Sequence, residues 1–355
     1  MAQASLRALD DAGLSKNDVD GLFSASAYYS MPTLTLGEYL NIVPRYSDST
    51  MLGGSSFVAH IRHAKVAIEA GLCEVALIAY GSTQRSDSGA LVSMGEALPF
   101  ETPFGSLYPL SSYALAAQRH MFAYGTTSEQ LASVAVQARA WALRNPKAFN
   151  YKRGPLAIAD VLNSPIISSP LHRLDCCLVT DGGGAVIMCS LDRARSSKKT
   201  PISILGAAES HTHRGILAMP DLTETAARFS GREAFAKAGL QPKDIDFVEL
   251  YDAFTINTIL FLEDLGFCDK GDGGPFVADG RIGPEGGLPV NTNGGGLSYC
   301  HPGMYGIFTI IEAVRQLRHE AGERQLARAD IGLVHGSGGT LSSQCTAILA
   351  RSGSN

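Results

Sequence analysis

Apolar and polar positions along the chain repeat one pattern twice. "ALDDAGLSKNDVDGLFSA" (residues 8–25) and "AFAKAGLQPKDIDFVELYDA" (234–253) each run at helical spacing, stop at Ala-Gly-Leu, cross a short polar link and enter an apolar run. Gly13 and Gly239 suit the left-handed residue that follows a helix, and a Lys followed by Asp-hydrophobic-Asp leads into each predicted strand. A second correspondence follows each copy. "GGSSFVAHIRHAKVAIEAGLCEVALIAYGS" (53–82) reads as a glycine turn, an amphipathic helix over 56–70 and a strand at 74–80. The glycines at 294–296 precede a helix over about 303–319 and a strand in "DIGLVHGSGG" (330–339).

The apolar runs VALIAY, AVIMCS, ISILGA and IGLVHG are short, β-branched and alternate with helical patterns, which predicts mainly parallel sheets covered on both faces. The economical fold is α/β, with two halves related by a pseudo-twofold. One half takes residues 1–83 plus 181–200 and the other 201–355. Residues 84–180 read as an inserted loop region with helices near 112–124 and 127–145.

Composition narrows the function classes. A net charge of −5 gives no global pull toward nucleic acid or an anionic membrane, and no apolar run approaches the length of a membrane span. Seven cysteines without CxxC spacing predict reduced thiols in a cytoplasmic protein, with no disulfide framework or zinc site. His211 and His213 have alternate spacing but no third ligand nearby, so no metal is expected. Cys176 and Cys177 read as core thiols. "TDGGGAVI" (180–187) lacks the Lys-Ser/Thr ending of a phosphate loop and reads as a tight strand connection.

The candidate chemistry gathers at strand ends and glycine turns. Tyr251 ends an apolar run, at the mouth where parallel sheets place sites. Asp252 reads as the cap of a helix starting at 253. Tyr299 and His301 are two apart in "SYCHPG", so an extended chain would turn them to one side, with Cys300 facing the other. His335 ends a strand at another glycine turn. Ser55 and Ser56 precede a helix, where a hydroxyl serves as a cap more often than as a nucleophile.

The duplication, Cys300-His301-Pro302-Gly303 and the terminal Gly-Ser-Gly-Gly together resemble the thiolase superfamily. "YGTTSEQLASVAVQARAWALRNPKAF", "LDCCLVTDGGGAVIM" and "VELYDAFTINTILFLEDLGFC" resemble its lipid-transfer-protein (SCP2-type) branch. The resemblance implies a thiolase fold with a layered αβαβα core. It also implies a CoA thioester as substrate, no covalently bound cofactor and a homodimer. That family opens with a strand, whereas this sequence begins in a helix; the expectation is a truncated start or a half-sheet lacking one strand.

The family's chemistry uses a cysteine at a helix N-terminus, a second cysteine, an Asn-held water and a histidine. Here the nucleophile turn reads Gly53-Gly54-Ser55-Ser56, the Asn position is Tyr251, and the second-cysteine position is His335. His301 keeps the histidine position. The resemblance therefore implies a cysteine-less subgroup that includes steroid side-chain aldolases. Its members cleave a β-hydroxyacyl-CoA by retro-aldol chemistry, giving a 17-ketosteroid and propionyl-CoA, with a DUF35-type zinc-ribbon/OB-fold partner. Tyr251, Tyr299, His301 and His335 are the expected catalytic residues, with cationic histidine lowering a phenol's pKa. Lys147, Lys152 and Arg153 are candidates for CoA phosphates, or a solvated surface. Two other readings are a thiolase that recruits Cys300 and a non-catalytic lipid-binding subunit.

Overall fold

The computed structural model describes residues 1–28, 30–89 and 99–352. One part of the predicted inserted region, 90–98, lies outside them. Ten strands are described: β1 (Gly21–Ser24), β2 (Tyr46–Asp48), β3 (Val75–Ser82), β4 (Ile166–Ser168), β5 (Leu171–His172), β6 (Gly182–Cys189), β7 (Ile202–His211), β8 (Phe247–Leu250), β9 (Ile331–Gly338) and β10 (Ser343–Arg351). The helices of nine residues or more are α1 (Ala2–Ala12), α2 (Pro32–Leu40), α3 (Ser56–Glu69), α4 (Leu110–Tyr124), α5 (Ser128–Ala142), α6 (Ala227–Ala238), α7 (Thr255–Asp264) and α8 (Gly306–Leu317).

The repeat builds the same unit twice. Gly13 and Gly239 end α1 and α6 with φ of 70° and 67°, a conformation that costs glycine little. The first Asp of each Asp-hydrophobic-Asp motif, Asp18 or Asp244, accepts the backbone N–H three residues earlier. The second Asp clips the strand that pairs alongside in parallel. Asp20 accepts the amides of Glu74 and Val75 at the start of β3, and Asp246 accepts those of Asp330 and Ile331 at the start of β9.

One sheet has the order β2-β1-β3-β6 and the other β7-β10-β9-β8. Here the expectation of mainly parallel sheets is corrected. β1 pairs in parallel with β2 and β3, and β8 with β9, but β3–β6, β9–β10 and β10–β7 are antiparallel. The short connection from Gly338 to Ser343 reverses the chain directly, which only an antiparallel pair allows.

Helices α3 and α8 pack against both sheets and form the middle layer. α1 and α2 cover the first sheet from outside, and α6 covers the second. These five layers are the αβαβα core that the resemblance implied. Close approach of α8 to the first sheet depends on Gly184, where a β-carbon would stand 2.5 Å from Ile311 Cδ1. The segment between β3 and β6 carries α4, α5 and the β4–β5 pair, with α5 packed on α7 and on the turn Gly295–Tyr299. None of the described helices is long and apolar enough to cross a membrane.

Candidate active site

Three connections meet over the middle layer: the turn Gly53–Ser55 leading into α3, the residues after β8, and the loop between Gly295 and α8. β8 ends at Leu250, and Tyr251 extends the ladder by one more bond, its N–H donating to His335 O at 3.0 Å. Asp252 comes next and is buried. Its carboxylate accepts the Gly296 amide at 2.6 Å and the Leu297 amide at 3.4 Å, so it braces the glycine turn. The expected cap of a helix at 253 is thereby corrected: α7 starts at Thr255, whose hydroxyl donates to Asp175. Burial raises the Asp252 carboxyl to about 7 against the pull of those amides.

The glycine turn delivers His301. Gly294 and Gly295 take φ of 104° and 65°, and residues Gly295–Tyr299 form a single π-helical turn. Asn293 Oδ1 accepts from Gly295 N and from Tyr305 Oη. The chain then turns extended at Cys300. His301 is pinned by its backbone: its N–H donates to Thr180 Oγ1 at 3.0 Å, and its carbonyl accepts from Thr180 N and Gln84 Nε2.

The imidazole then meets the phenol. Tyr251 Oη lies 3.0 Å from His301 Nε2, with the rings edge to face at 88°, and 3.3 Å from Gly303 O. His301 Nδ1 is buried with no protein partner. A buried orphan donor costs more than an orphan acceptor. The favoured tautomer therefore protonates Nε2: His301 donates to the phenol oxygen, and the phenol donates to Gly303 O. Burial lowers the imidazole to about 4 and raises the phenol well above its ordinary 10. Both groups stand neutral, so the expected cationic histidine and lowered phenol are corrected to a neutral pair.

A cavity of about 100 Å³ opens on this pair. Its walls include Gly53, Gly54, Tyr108, Tyr113, Cys177, Met304 and Ser337. Sequence reasoning missed Tyr108, Tyr113 and Ser337 and placed Cys177 simply in the core. Tyr113 sits on a helical apolar face and donates to Gly339 O at 3.1 Å. Nothing in its spacing separates that position from ordinary packing.

Two expected residues do not line this cavity. Tyr299 closes the π-helical turn, where the two-residue alternation of a strand does not hold, and its ring packs on Phe308 at 6.0 Å, facing a groove beside β6 and α8. Burial raises its phenol. His335 points to the outer layer: it is paired with Thr346 and Gln344 at 2.9 Å each and lies 4.7 Å from the Phe261 ring on α7. Burial holds it at about 4.

Potential nucleophiles are tied down. Ser55 Oγ donates to Leu52 O and pairs with Ser343, while Ser56 Oγ donates to Gly53 O and accepts from Leu52 N. Cys300 is buried away from the cavity, and burial raises its thiol well above 9. Cys177 lines the cavity, with its thiol raised in the same way. The Arg315 charge, with burial and the charges of Arg324 and Arg7, lowers the Lys147 amine, and Arg153 stacks on Phe149 with Arg85.

A family model described as "Thiolase C-terminal domain-like" matches residues 208–351. The chain is 35% identical over 363 residues to an acetyl-CoA acetyltransferase of Methanothermobacter thermautotrophicus, with 99% of this chain and 94% of that protein covered. It is 36% identical over 346 residues to the 17-hydroxy-3-oxo-4-pregnene-20-carboxyl-CoA lyase of Mycobacterium tuberculosis, covering 89% and 85%. Among solved structures, an Ltp2-ChsH2(DUF35) aldolase superposes with a TM-score of 0.89 at 31% identity, over 99% of this chain and 91% of that one. On this full-length likeness, with the duplicated five-layer core, the chain belongs to the thiolase superfamily, among the relatives of SCP2-type thiolases and steroid side-chain-cleaving aldolases.

Proposed function

We propose that this protein is an acyl-CoA carbon–carbon lyase that cleaves a β-hydroxyacyl-CoA by a retro-aldol reaction without an acyl-enzyme. The observation that carries this reading is the neutral Tyr251–His301 pair at 3.0 Å, in a cavity whose lining thiol is held protonated. The electron pair of the substrate's O–H bond becomes the second bond of a ketone. The Cα–Cβ pair moves into the thioester enolate, and one proton travels from the hydroxyl to Cα. Tyr251 carries that proton in this reading, giving its own to Cα as it takes the hydroxyl's. His301 Nε2–H stabilises negative charge on the phenol oxygen while the transfer is under way.

The lyase and aldolase named among the relatives support a steroid side-chain substrate, with a 17-ketosteroid and propionyl-CoA as products. That aldolase structure is a complex with a DUF35 protein, which supports a partner of the same kind here; the homodimer is carried by the family resemblance alone. The acetyl-CoA acetyltransferase relative supports the competing reading of acyl transfer.

One experiment separates the two readings. The purified protein, alone and with a co-expressed DUF35 protein, is incubated with 17-hydroxy-3-oxo-4-pregnene-20-carboxyl-CoA in the absence of free CoA. The expected result is ketone and propionyl-CoA in equal amounts, with no acyl adduct in the intact mass of the protein. An adduct on Cys300 or Cys177, with turnover that requires added CoA, would refute the lyase assignment.

A further inference from the structure

Gly54 has no reactive group, but its place in the turn ahead of α3 fixes where the phenol can stand. A β-carbon on Gly54 would lie 2.0 Å from Cε2 and 2.4 Å from Cζ of Tyr251, and 2.6 Å from Ser337 O. Its φ is not in the left-handed range, so backbone strain does not explain the glycine. The ring has little room to retreat. His301 and Tyr305 meet it edge to face, with centroids at 5.6 and 5.8 Å and interplanar angles of 88° and 84°. Gly306 closes the turn from below, where a β-carbon would come 2.2 Å from Gly54 O. A side chain at 54 therefore has to push the phenol aside, which takes Oη away from His301 Nε2.

We propose that Gly54 is a positioning residue for Tyr251, and that a side chain at this turn and a phenol at 251 exclude one another from the same space. Reaction specificity then belongs to the pair. Restoring a side chain at the helix terminus removes the proton carrier unless the ring is also truncated. The catalytic half of this inference rests on the lyase reading; the steric half stands on the packing alone.

The test is a double-mutant cycle of Gly54→Ala and Tyr251→Ala, read by thermal unfolding and by single-turnover cleavage. Gly54→Ala should lower Tm in the parent and cost less than about half as much once the ring is gone, the coupling expected of residues in contact. In the parent it should cut kcat by about 100-fold, the scale of a displaced acid–base group, with KM changed by less than about threefold. Equal Tm losses with and without the ring would overturn the steric claim, and an undiminished kcat would overturn the positioning claim. If Gly54→Ala does not fold, recovery of folded protein in the double variant supports the proposal. Failure of the double variant, with Tyr251→Ala folded, makes Ser337 O the obstacle and overturns it. Coupling in Tm with no cleavage by the parent protein would refute the lyase reading and leave the steric one standing.

Discussion

Tyr251→Phe removes one oxygen and leaves the ring packed between Gly54, His301 and Tyr305. Two effects follow from the bonds that oxygen makes. In the folded state, His301 Nε2–H loses its acceptor at 3.0 Å and becomes a buried orphan donor, while Nδ1 already has no partner. Leaving one buried donor unpaired costs about 1–3 kcal/mol, partly offset because the buried phenol hydroxyl is gone as well. The net loss is about 1 kcal/mol, a Tm shift of only a few degrees for a chain of this size. In the reaction, the proton carrier itself is lost, which costs about 10²–10⁴ in rate, or roughly 3–5 kcal/mol of barrier. The two effects differ enough to be separated. Thermal unfolding by circular dichroism measures the first, and single-turnover release of product acyl-CoA, followed by mass spectrometry, measures the second. Substrate binding should change little. A folded Tyr251→Phe protein that cleaves within about threefold of the parent would refute the assignment, since general acid–base groups contribute far more than that.

Three other outcomes test other parts of the structure. His63 bridges Asp48 and Glu209, with His60 and Arg62 beside it, and its hydrogen bonds to the two carboxylates raise it to about 9. Because the folded value lies above the unfolded 6.5, this contribution is full below pH 6.5 and is lost as pH rises through 9; comparing urea midpoints of the parent and His63→Gln should show a gap of about 2–3 kcal/mol that closes by about pH 10. Asp252 also loses stability as pH rises, but through burial of its charge: its folded value of about 7 lies above the ordinary 3.8, so ionising it weakens the fold progressively from about pH 4 to 7. Asp252→Asn keeps an acceptor for the Gly296 amide and should raise stability above pH 7 by up to about 4 kcal/mol, with no gain below pH 4. Cys300→Ala should leave cleavage unchanged, and a large loss of rate would return the nucleophile reading to consideration.

The duplicated architecture was legible because its signals are local. A glycine after a helix and an Asp that accepts the backbone N–H three residues earlier act within a few residues, and both copies carry them. Strand direction was not legible, because the apolar runs of β6, β7 and β10 look the same whichever way they pair. Tyr251 and His301 were legible from their places after a strand and a glycine turn. Tyr299 was misplaced because a π-helical turn over Gly295–Tyr299 replaces the extended chain that residue spacing assumes. His335 was misplaced because strand parity says only that a side chain faces one of two layers; Phe261, Thr346 and Gln344 decide which. The neutrality of the central pair is a property of burial, which spacing does not encode.

That neutrality also discriminates between the two chemistries. An acyl-enzyme begins with a thiolate, so a thiol in this cavity would have to give its proton to His301. Burial raises the Cys177 thiol and lowers the His301 imidazole, so both shifts oppose moving a proton from one to the other. The same burial that opposes a standing ion pair leaves a concerted proton transfer much less affected. In the retro-aldol path Tyr251 gives a proton to Cα as it receives one from the hydroxyl, so the negative charge that develops on the thioester as the carbon–carbon bond breaks is neutralised in the same event. A buried pocket with a phenol donor and a neutral imidazole behind it suits that reaction, and it disfavours the thiolate chemistry of most of the superfamily.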